Sequence, residues 1–254
     1  MIRLKDITAG YKGIEIIKNI NVFFEKGSIT GIIGKNGCGK STLIKTASGL
    51  IKPFSGDIML DGESIYNIPE KKLAREISFL PQIRNAPNIT VYNLVLHGRF
   101  PYLGFPRIPQ DKDKAIVENV LEKLGIKKYR DKNLMELSGG ERQKVYIAMV
   151  LAQDTDYIFL DEPTTYLDIN HQLEILDIIK ELKNMGRAVI VVIHDLNSAL
   201  THCDKVCLLD RGQVVIFDTP EVVYNSREIE RVFRVKCDEI YMQEKGQRQY
   251  VFSI

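Results

Sequence analysis

The sequence lacks any hydrophobic run long enough to cross a membrane. Its apolar runs are short, and Ala188–Ile193, for example, has six residues, whereas a spanning helix needs about 20. The N-terminus also has no apolar core of the kind found in secretory signal peptides. We therefore expect a chain that stays out of the bilayer and, if it works at a membrane, docks there onto another protein.

An excess of charge is also missing, and cysteine is scarce. The chain has 35 Lys and Arg against 33 Asp and Glu, a net charge of +2. This balance gives no electrostatic case for a nucleic-acid partner. The four cysteines form no C-x-x-C pair, which is typical of reduced thiols in an intracellular protein rather than of a disulfide framework. We predict a cytoplasmic protein that binds no nucleic acid.

The N-terminal part of the chain is predicted to be rich in β-strands. With 254 residues, 44% of them hydrophobic, the chain can bury a core in one large domain or two small lobes. Ile2–Ile7 and Ile14–Phe24 have the composition of strands. Asp57–Leu60 and Ile65–Tyr66 flank Asp61-Gly62, a favourable pair for a hairpin turn.

The rest of the chain divides into a helical middle and an alternating last third. One helix is predicted where Val117, Val120, Leu121 and Leu124 recur at helical spacing, and a second from Ser138 to Ala152. Three short apolar strands follow, at Tyr157–Asp161, Ala188–His194 and Val206–Leu209. The helix between the first two strands carries four apolar residues on one face: Leu173, Leu176, Ile179 and Leu182. This alternation predicts a parallel sheet covered on both faces, with the helical middle as an insertion.

The segment Gly34–Thr42 fits the pattern G-x-x-x-x-G-K-[ST] at every position. It follows the apolar strand Ile29–Ile33 and opens a helix predicted from Lys40 to Leu50, which is the context that a phosphate-binding loop requires. Backbone N–H groups at a helix N-terminus bind phosphate, Lys40 can reach the β- and γ-phosphates, and Ser41 can ligate Mg²⁺. The nucleotide-binding residues predicted here are Gly34, Lys35, Asn36, Gly37, Cys38, Gly39, Lys40, Ser41 and Thr42.

A carboxylate pair follows a later apolar strand. Asp161 and Glu162 come directly after Tyr157–Leu160. Asp161 is expected to hold Mg²⁺ through water, and Glu162 is placed to orient or deprotonate the attacking water. A strand that ends in a solvated acidic turn is the simpler reading of these residues alone. The phosphate loop elsewhere in the chain makes the catalytic interpretation the better one.

The segment Leu137–Gln143 reads LSGGERQ and resembles the signature sequence of the ATP-binding cassette family. Its Ser138 hydroxyl and the N–H groups of Gly139 and Gly140 lie at a predicted helix N-terminus, where they can bind a γ-phosphate. The resemblance covers essentially the whole chain. It implies an α/β fold with a P-loop NTPase (RecA-like) core, an N-terminal antiparallel β subdomain and an inserted α-helical signature subdomain. It also implies ATP and Mg²⁺ as cofactors, and a head-to-tail homodimer that sandwiches two ATP molecules.

Four further positions match the family pattern in order. The resemblance implies that Tyr11 stacks on adenine, that Gln82 contacts the metal and the attacking water, that Asp168 crosses the dimer and that His194 contacts the γ-phosphate. Each has a simpler alternative: a turn tyrosine, a polar strand end, a helix cap and a core-edge histidine. The other histidines, interpreted as structural or exposed, are His97, His171 and His202.

Among the cysteines, only Cys38 lies near the predicted chemistry. Lys40 and the N–H groups of the loop are expected to lower its pKa and to raise its reactivity. Alkylation of this thiol is therefore expected to block nucleotide binding, and Mg-ATP to protect it.

The chain is predicted to be a single cassette domain built from discontinuous parts. We place the α/β catalytic core and its β subdomain at residues 1–82 and 153–220, and the helical subdomain at 83–152. A short helix near Ser226–Phe233 and a β extension fill residues 221–254.

Two segments indicate a branch of the family. His97–Gly104 and His194–Ala199 resemble segments in the ATPases of importers for iron-siderophore complexes, haem and cobalamin. That resemblance implies integral membrane permease subunits as partners, an extracytoplasmic solute-binding protein as an indirect partner, and a position on the cytoplasmic face of the membrane. A soluble cassette such as an iron–sulfur assembly ATPase, an importer ATPase for another solute, and an exporter remain alternatives.

Coupling to a permease needs a surface near Gln82, which joins the catalytic core to the helical insertion. We predict that part of the stretch from Arg84 to Phe105 forms a groove for a short helix of the membrane subunit. Arg99→Glu and Tyr102→Ala are accordingly expected to uncouple ATP hydrolysis from transport.

Overall fold

A computed structural model of the chain describes residues 1–82, 86–242 and 247–254. Its strands are β1 (Ile2–Tyr11), β2 (Ile14–Phe24), β3 (Ile29–Gly34), β4 (Ser55–Leu60), β5 (Glu63–Ser64), β6 (Ile77–Leu80), β7 (Tyr157–Asp161), β8 (Ala188–Val192), β9 (Lys205–Asp210), β10 (Gln213–Asp218), β11 (Lys236–Met242) and β12 (Gln247–Ser253). Its helices are α1 (Lys40–Ala47), α2 (Glu70–Glu76), α3 (Val91–His97), α4 (Asp111–Lys123), α5 (Gly139–Gln153), α6 (Ile169–Asn184), α7 (Leu196–His202), α8 (Pro220–Asn225) and α9 (Glu228–Phe233).

The central sheet has the strand order β10-β9-β3-β8-β7-β6. Neighbouring strands are parallel except for β10, which runs antiparallel to β9. Side chains of β7 alternate between two hydrophobic cores: Ile158 and Leu160 enter one, and Tyr157 and Phe159 enter the other. Both faces are therefore covered, as the sequence predicted, because successive side chains of a strand point to opposite faces. This arrangement places the ends of β3, β7 and β8 side by side.

A smaller antiparallel sheet has the order β2-β1-β4-β5. The predicted turn at Asp61-Gly62 is present, with φ values of 48° and 92° that suit a two-residue hairpin turn. The strand after it is Glu63–Ser64, so the prediction of a strand at Ile65–Tyr66 is wrong. The short turn pairs Leu60 with Glu63, and the chain then bends so that Ile65 is buried.

The helical insertion packs α3, α4 and α5 around one apolar cluster, whose buried members include Val95, Val117, Leu121 and Val145. The predicted helix at Ser138–Ala152 corresponds to α5. Other predicted bounds shift: α1 ends at Ala47 rather than Leu50, because the chain turns at Gly49, whose φ is 81°.

Two predictions for the last third need correction. Strand β8 ends at Val192 rather than His194. On α6, Leu173 is half exposed, and the buried face consists of Ile175, Leu176, Ile179 and Leu182. The C-terminal helix and β-pair are present as α9, β11 and β12. Within the described ranges, no helix is long and apolar enough to cross a bilayer. The domain boundaries stay a prediction.

Candidate functional site

The loop between β3 and α1 turns tightly against the rest of the core. A Cβ on Gly34, whose φ is 155°, would lie 2.3 Å from the Leu209 carbonyl oxygen and 2.6 Å from the Cys38 sulfur. Gly39 precedes α1 with a φ of 108°, a conformation that favours glycine. The loop therefore depends on glycine for both space and backbone conformation, and it presents the N-terminus of α1.

Lys40 is buried within this loop. Its Nζ donates to the carbonyl oxygens of Gly34 at 2.8 Å and Lys35 at 3.0 Å. An ammonium group has three donors, so one N–H remains for a ligand. A cavity of about 240 Å³ opens beside it, lined by Tyr11, Ile16, Asn36, Gly37, Gly39, Lys40, Ser41, Thr42 and Glu162. The fold thus brings the predicted adenine-stacking residue, the phosphate loop and the candidate catalytic carboxylate together.

Ser41, which lines this cavity, contacts Asp161 at the end of β7. The Ser41 hydroxyl donates to Asp161 Oδ1 at 3.2 Å. Burial raises the pKa of Asp161, and the Ser41 hydrogen bond opposes that rise. Mg²⁺ prefers such oxygen ligands and completes its shell with waters and substrate phosphates. A hydroxyl and a carboxylate at this spacing fit that requirement.

Glu162 lies at the junction of three elements. Its Oε2 accepts from Gln82 Nε2 at 2.6 Å and from the Thr165 hydroxyl at 3.2 Å. Its Oε1 lies 2.6 Å from His194 Nε2. The backbone of Glu162 has a φ of 56°, which costs a residue with a side chain about 1–2 kcal/mol. Glu162 therefore combines a strained backbone with a carboxylate that has three side-chain partners. Backbone strain of this kind is often found at functional sites.

Ser138 caps the N-terminus of α5. Its Oγ accepts from the Glu141 N–H at 3.3 Å, and Glu141 Oε2 accepts from the Ser138 N–H at 2.8 Å. The Tyr129 hydroxyl also donates to Glu141, and these bonds lower the pKa of Glu141 to about 2. The cavity at the phosphate loop includes none of Ser138, Gly139 and Gly140 in its described lining.

Asp168 caps α6, which was the simpler alternative for this residue. Its Oδ1 accepts from the His171 backbone N–H at 3.0 Å, and both carboxylate oxygens lie 2.9 Å from His171 Nδ1. These bonds lower the pKa of Asp168. The side chain is well exposed, so the predicted contact with a partner subunit remains open to it.

His171 is the residue that sequence reasoning undervalued. Its ring lies against Gly140, where an added Cβ would be 2.2 Å from His171 Cδ2. The sequence could have indicated its contact with Asp168, because His171 lies three residues after this helix cap and residues three apart on a helix are neighbours. The other two unassigned histidines show no comparable contact: His97 packs on Phe100, and burial lowers the pKa of His202.

The expectation of a lowered pKa for the Cys38 thiol is wrong. Burial raises its pKa by more than the nearby Lys40 lowers it. The side chain is buried and belongs to the hydrophobic cluster that includes residues of β1 and β2. All four cysteines are free and buried.

We expect Cys38 to react slowly with iodoacetamide at neutral pH in the folded protein, with or without Mg-ATP. Burial both removes access and disfavours the thiolate that reacts. Mass-spectrometric peptide mapping measures the labelling, and Lys35→Cys, in the same loop but exposed, serves as the fast-reacting control. Rapid labelling of Cys38 that Mg-ATP prevents would restore the original expectation.

The residues predicted for the permease groove include buried residues, such as Arg99, and exposed residues, such as Phe105. Arg99 is 4% exposed: its Nε donates to Asp113 Oδ1 at 3.2 Å and its Nη1 to the Ala152 carbonyl at 2.7 Å. Its guanidinium also lies 3.9 Å from the Tyr102 ring. Arg99 is therefore part of the core of the insertion and not of a groove surface. Arg84 falls outside the described residues.

A groove of about 500 Å³ does lie beside this core, between α2 and the chain that follows α3. Its lining consists of Glu70, Lys71, Ala74, Phe100, Pro101, Leu103, Gly104, Phe105 and Arg107. Phe105 is fully exposed, and Lys71 donates to the Leu103 carbonyl at 2.8 Å. The lining is thus largely apolar, and its charged members are Glu70, Lys71 and Arg107.

Known proteins match both the sequence and the fold of this chain. A family model described as ABC transporter matches residues 17–165. The petrobactin import ATP-binding protein FpuD of Bacillus anthracis is 42% identical over 235 residues, which cover 92% of this chain and 86% of that protein. The iron(3+)-hydroxamate import ATP-binding protein FhuC of Bacillus subtilis is 41% identical over 232 residues, or 90% of this chain and 86% of that protein.

One solved structure is similar over nearly the whole chain. It belongs to a protein assigned as a metal-chelate type ABC transporter in an inward-facing conformation. It has a TM-score of 0.84 and 26% sequence identity, and the match covers 99% of this chain and 95% of that one. With the phosphate loop, the carboxylate pair and the LSGGERQ helix in place on this fold, the chain belongs to the ATP-binding cassette family of transporter ATPases.

Proposed function

We propose that this ATPase powers the import of an iron chelate through a separate membrane permease. The position of Glu162, between Gln82 and His194 and beside the phosphate loop, carries the hydrolytic part of the proposal. The substrate class rests on the relatives, whose names describe petrobactin and iron(3+)-hydroxamate import. Haem or cobalamin is the alternative cargo within the same class.

Nucleotide binding is assigned to the cavity that begins at Tyr11. The Tyr11 ring, at the exposed end of β1, stacks on the adenine. The loop residues Gly34–Thr42 direct N–H groups and the free Lys40 donor to the phosphates. Ser41, Gln82 and Asp161 are the residues that would hold Mg²⁺, directly or through water. A bound Mg²⁺ would neutralise charge on the β- and γ-phosphates.

Hydrolysis is assigned to Glu162, which orients and deprotonates the attacking water. Gln82 and His194 hold its two carboxylate oxygens at 2.6 Å each. The two partners belong to different segments. Gln82 lies at the entrance to the helical insertion, and His194 follows β8. Movement of either segment therefore changes the position of the carboxylate. His194 also reaches the γ-phosphate when the nucleotide is bound.

A second copy of the chain completes the site. Ser138, Gly139, Gly140 and Asp168 lie outside the cavity of their own chain. In a head-to-tail homodimer, the N-terminus of α5 and the Asp168 loop face the phosphate loop of the partner. The γ-phosphate then bridges the two copies, so that hydrolysis opens the dimer.

The groove beside Phe105 is assigned to the permease. It lies on the segment after Gln82, so that a change at the γ-phosphate can reach it. A short apolar helix of the membrane subunit fits a groove of this size as a helix-in-groove contact. In this arrangement the cassette sits on the cytoplasmic face of the membrane, and an extracytoplasmic solute-binding protein delivers the chelate to the permease.

Phe105→Asp is expected to abolish most permease-stimulated ATP hydrolysis and ferric-siderophore uptake in proteoliposomes that hold the complete importer. A central aromatic anchor contributes about 2 kcal/mol, or about 30-fold in affinity. ATP binding by the isolated subunit should stay unchanged. Met185→Asp, an exposed apolar residue at the far end of α6, is the control and should transport normally.

Two results would count against this proposal. Normal uptake by Phe105→Asp would place the permease contact elsewhere. Failure of any polytopic membrane protein to co-purify with the chain would favour a non-transport cassette, such as an iron–sulfur assembly ATPase.

A further inference from the structure

The contact between His171 and Gly140 joins two segments that the proposed dimer uses together. Gly140 begins α5 in the LSGGERQ segment, and His171 lies in the first turn of α6, just after the Asp168 loop. The His171 ring occupies the space where any other residue at position 140 would place its Cβ, with Cγ and Cδ2 only 2.3 Å and 2.2 Å from that point. The absence of a side chain at position 140 therefore makes room for the His171 ring, in addition to any role of Gly140 in ligand binding.

The other side of the His171 ring is tied to Asp168. Nδ1 lies 2.9 Å from both Asp168 oxygens, and the His171 backbone N–H donates to the same carboxylate at 3.0 Å. The hydrogen bond requires the proton on Nδ1, because the carboxylate is an acceptor. One side chain thus spans the distance between the Asp168 loop and the signature segment.

A second contact fixes the same two helices one turn further along. Lys144 Nζ lies 2.7 Å from Glu174 Oε2. These residues follow Gly140 by four positions on α5 and His171 by three positions on α6, so they stand above the first contact on the same faces. The N-terminal turns of α5 and α6 are therefore joined at two successive levels.

We propose that His171 is a positioning residue that holds the signature segment (Ser138–Gly140) and the Asp168 loop in a fixed relation, so that both dock on the partner subunit as one surface. The inference rests on the proposed head-to-tail dimer. Without His171, each segment must be ordered separately when the dimer forms. The free-energy cost of that ordering weakens association. Nucleotide binding within one chain does not involve either segment and stays unchanged.

The test uses three substitutions that separate the two contacts of His171. His171→Ala removes both contacts. His171→Asn keeps a donor close to the position of Nδ1 but removes the ring from Gly140, whereas His171→Phe keeps a ring and removes the donor. Asn170→Ala, an exposed neighbour in the same turn, is the matched control. Each change is made in the Glu162→Gln background, and light scattering measures the dimer as protein concentration rises in Mg-ATP.

We expect His171→Ala to raise the dissociation constant of the dimer about tenfold, within the range of coupling found for contacting residues. His171→Asn and His171→Phe should each show a smaller increase, and Asn170→Ala none. ATP affinity measured on the dilute monomer should not change. In the active background, turnover by His171→Ala should require about tenfold more protein for half-maximal rate but reach the same plateau. A structural defect alone would lower the plateau.

Hydrogen exchange on the monomer provides a readout independent of the dimer. His171→Ala should speed exchange of the backbone amides at Ser138–Glu141, and Asn170→Ala should not. Unchanged exchange together with an unchanged dissociation constant would overturn the role of His171. If the Glu162→Gln parent shows no ATP-dependent dimer, the proposed dimer fails, and the exchange result alone then decides whether His171 positions the signature segment.

Discussion

Replacing Glu162 with Gln is expected to lower steady-state ATP turnover of the complete transporter by roughly 10²–10⁴-fold, the usual effect of removing a general base. The amide keeps the size of the carboxylate and a hydrogen bond to Gln82, but it cannot take a proton from water. ATP affinity should stay close to that of the unchanged protein, because Lys40 and the loop backbone are untouched. The variant should form dimers with Mg-ATP and separate with ADP.

The control for this substitution is Glu181→Gln, which removes a carboxylate from the exposed surface of α6. Glu181 pairs with the exposed Lys123 at 3.3 Å, so turnover should be unaffected. Malachite-green phosphate release measures the rate, and equilibrium binding of a fluorescent ATP analogue measures affinity. Turnover by Glu162→Gln near that of the unchanged protein would remove Glu162 from the reaction.

Replacing Arg99 with Ala is expected to lower the free energy of unfolding by about 3–5 kcal/mol, the cost of breaking a buried ion pair. The side chains of Arg99 and Asp113 are 5% and 2% exposed, so Asp113 would be left as a buried charge without its partner. The Ala152 carbonyl would also lose its donor. Urea denaturation followed by circular dichroism measures the change.

Arg130 offers a closely matched control for Arg99. It also pairs with a carboxylate, Glu118 at 2.7 Å, and stacks on a tyrosine, Tyr92 at 4.1 Å. Its side chain is 38% exposed, and surface pairs contribute only about 0–1 kcal/mol. Arg130→Ala should therefore have a small effect.

A double substitution tests whether the unpaired charge causes the loss at Arg99. Arg99→Met with Asp113→Leu removes both charges and should be less destabilised than Arg99→Ala. Equal small effects of Arg99→Ala and Arg130→Ala would show that the buried pair does not stabilise the insertion. If Arg99→Ala instead kept full stability and lost only transport, the original groove assignment would be right.

The parts of the site that the sequence predicted correctly as structure are short motifs, each made of neighbouring residues. The phosphate loop, the carboxylates at the end of β7 and the cap of α5 each depend on a few consecutive residues and their backbone conformation. Glycine spacing, a strand before the loop and a capping Ser138 with Glu141 are therefore visible in the sequence itself. The roles of these residues toward ATP and Mg²⁺ stay predictions until they are measured.

The assignments that failed depend on contacts between distant parts of the chain. Arg99 binds residues 14 and 53 positions away, and a basic residue in a proline-rich stretch gives no sign that it will be buried. Cys38 lies in the phosphate loop, yet its side chain turns to the core and burial outweighs the effect of Lys40 on its pKa.

By itself, the sequence determined the family, the phosphate loop and the order of sheet and helix, because those follow from local patterns of glycine, charge and apolar spacing. Only the tertiary structure decided that Gln82, Glu162 and His194 meet, and that His171 closes on Gly140. Such contacts form when separate elements pack, and the packing of one element on another is not encoded within either segment alone.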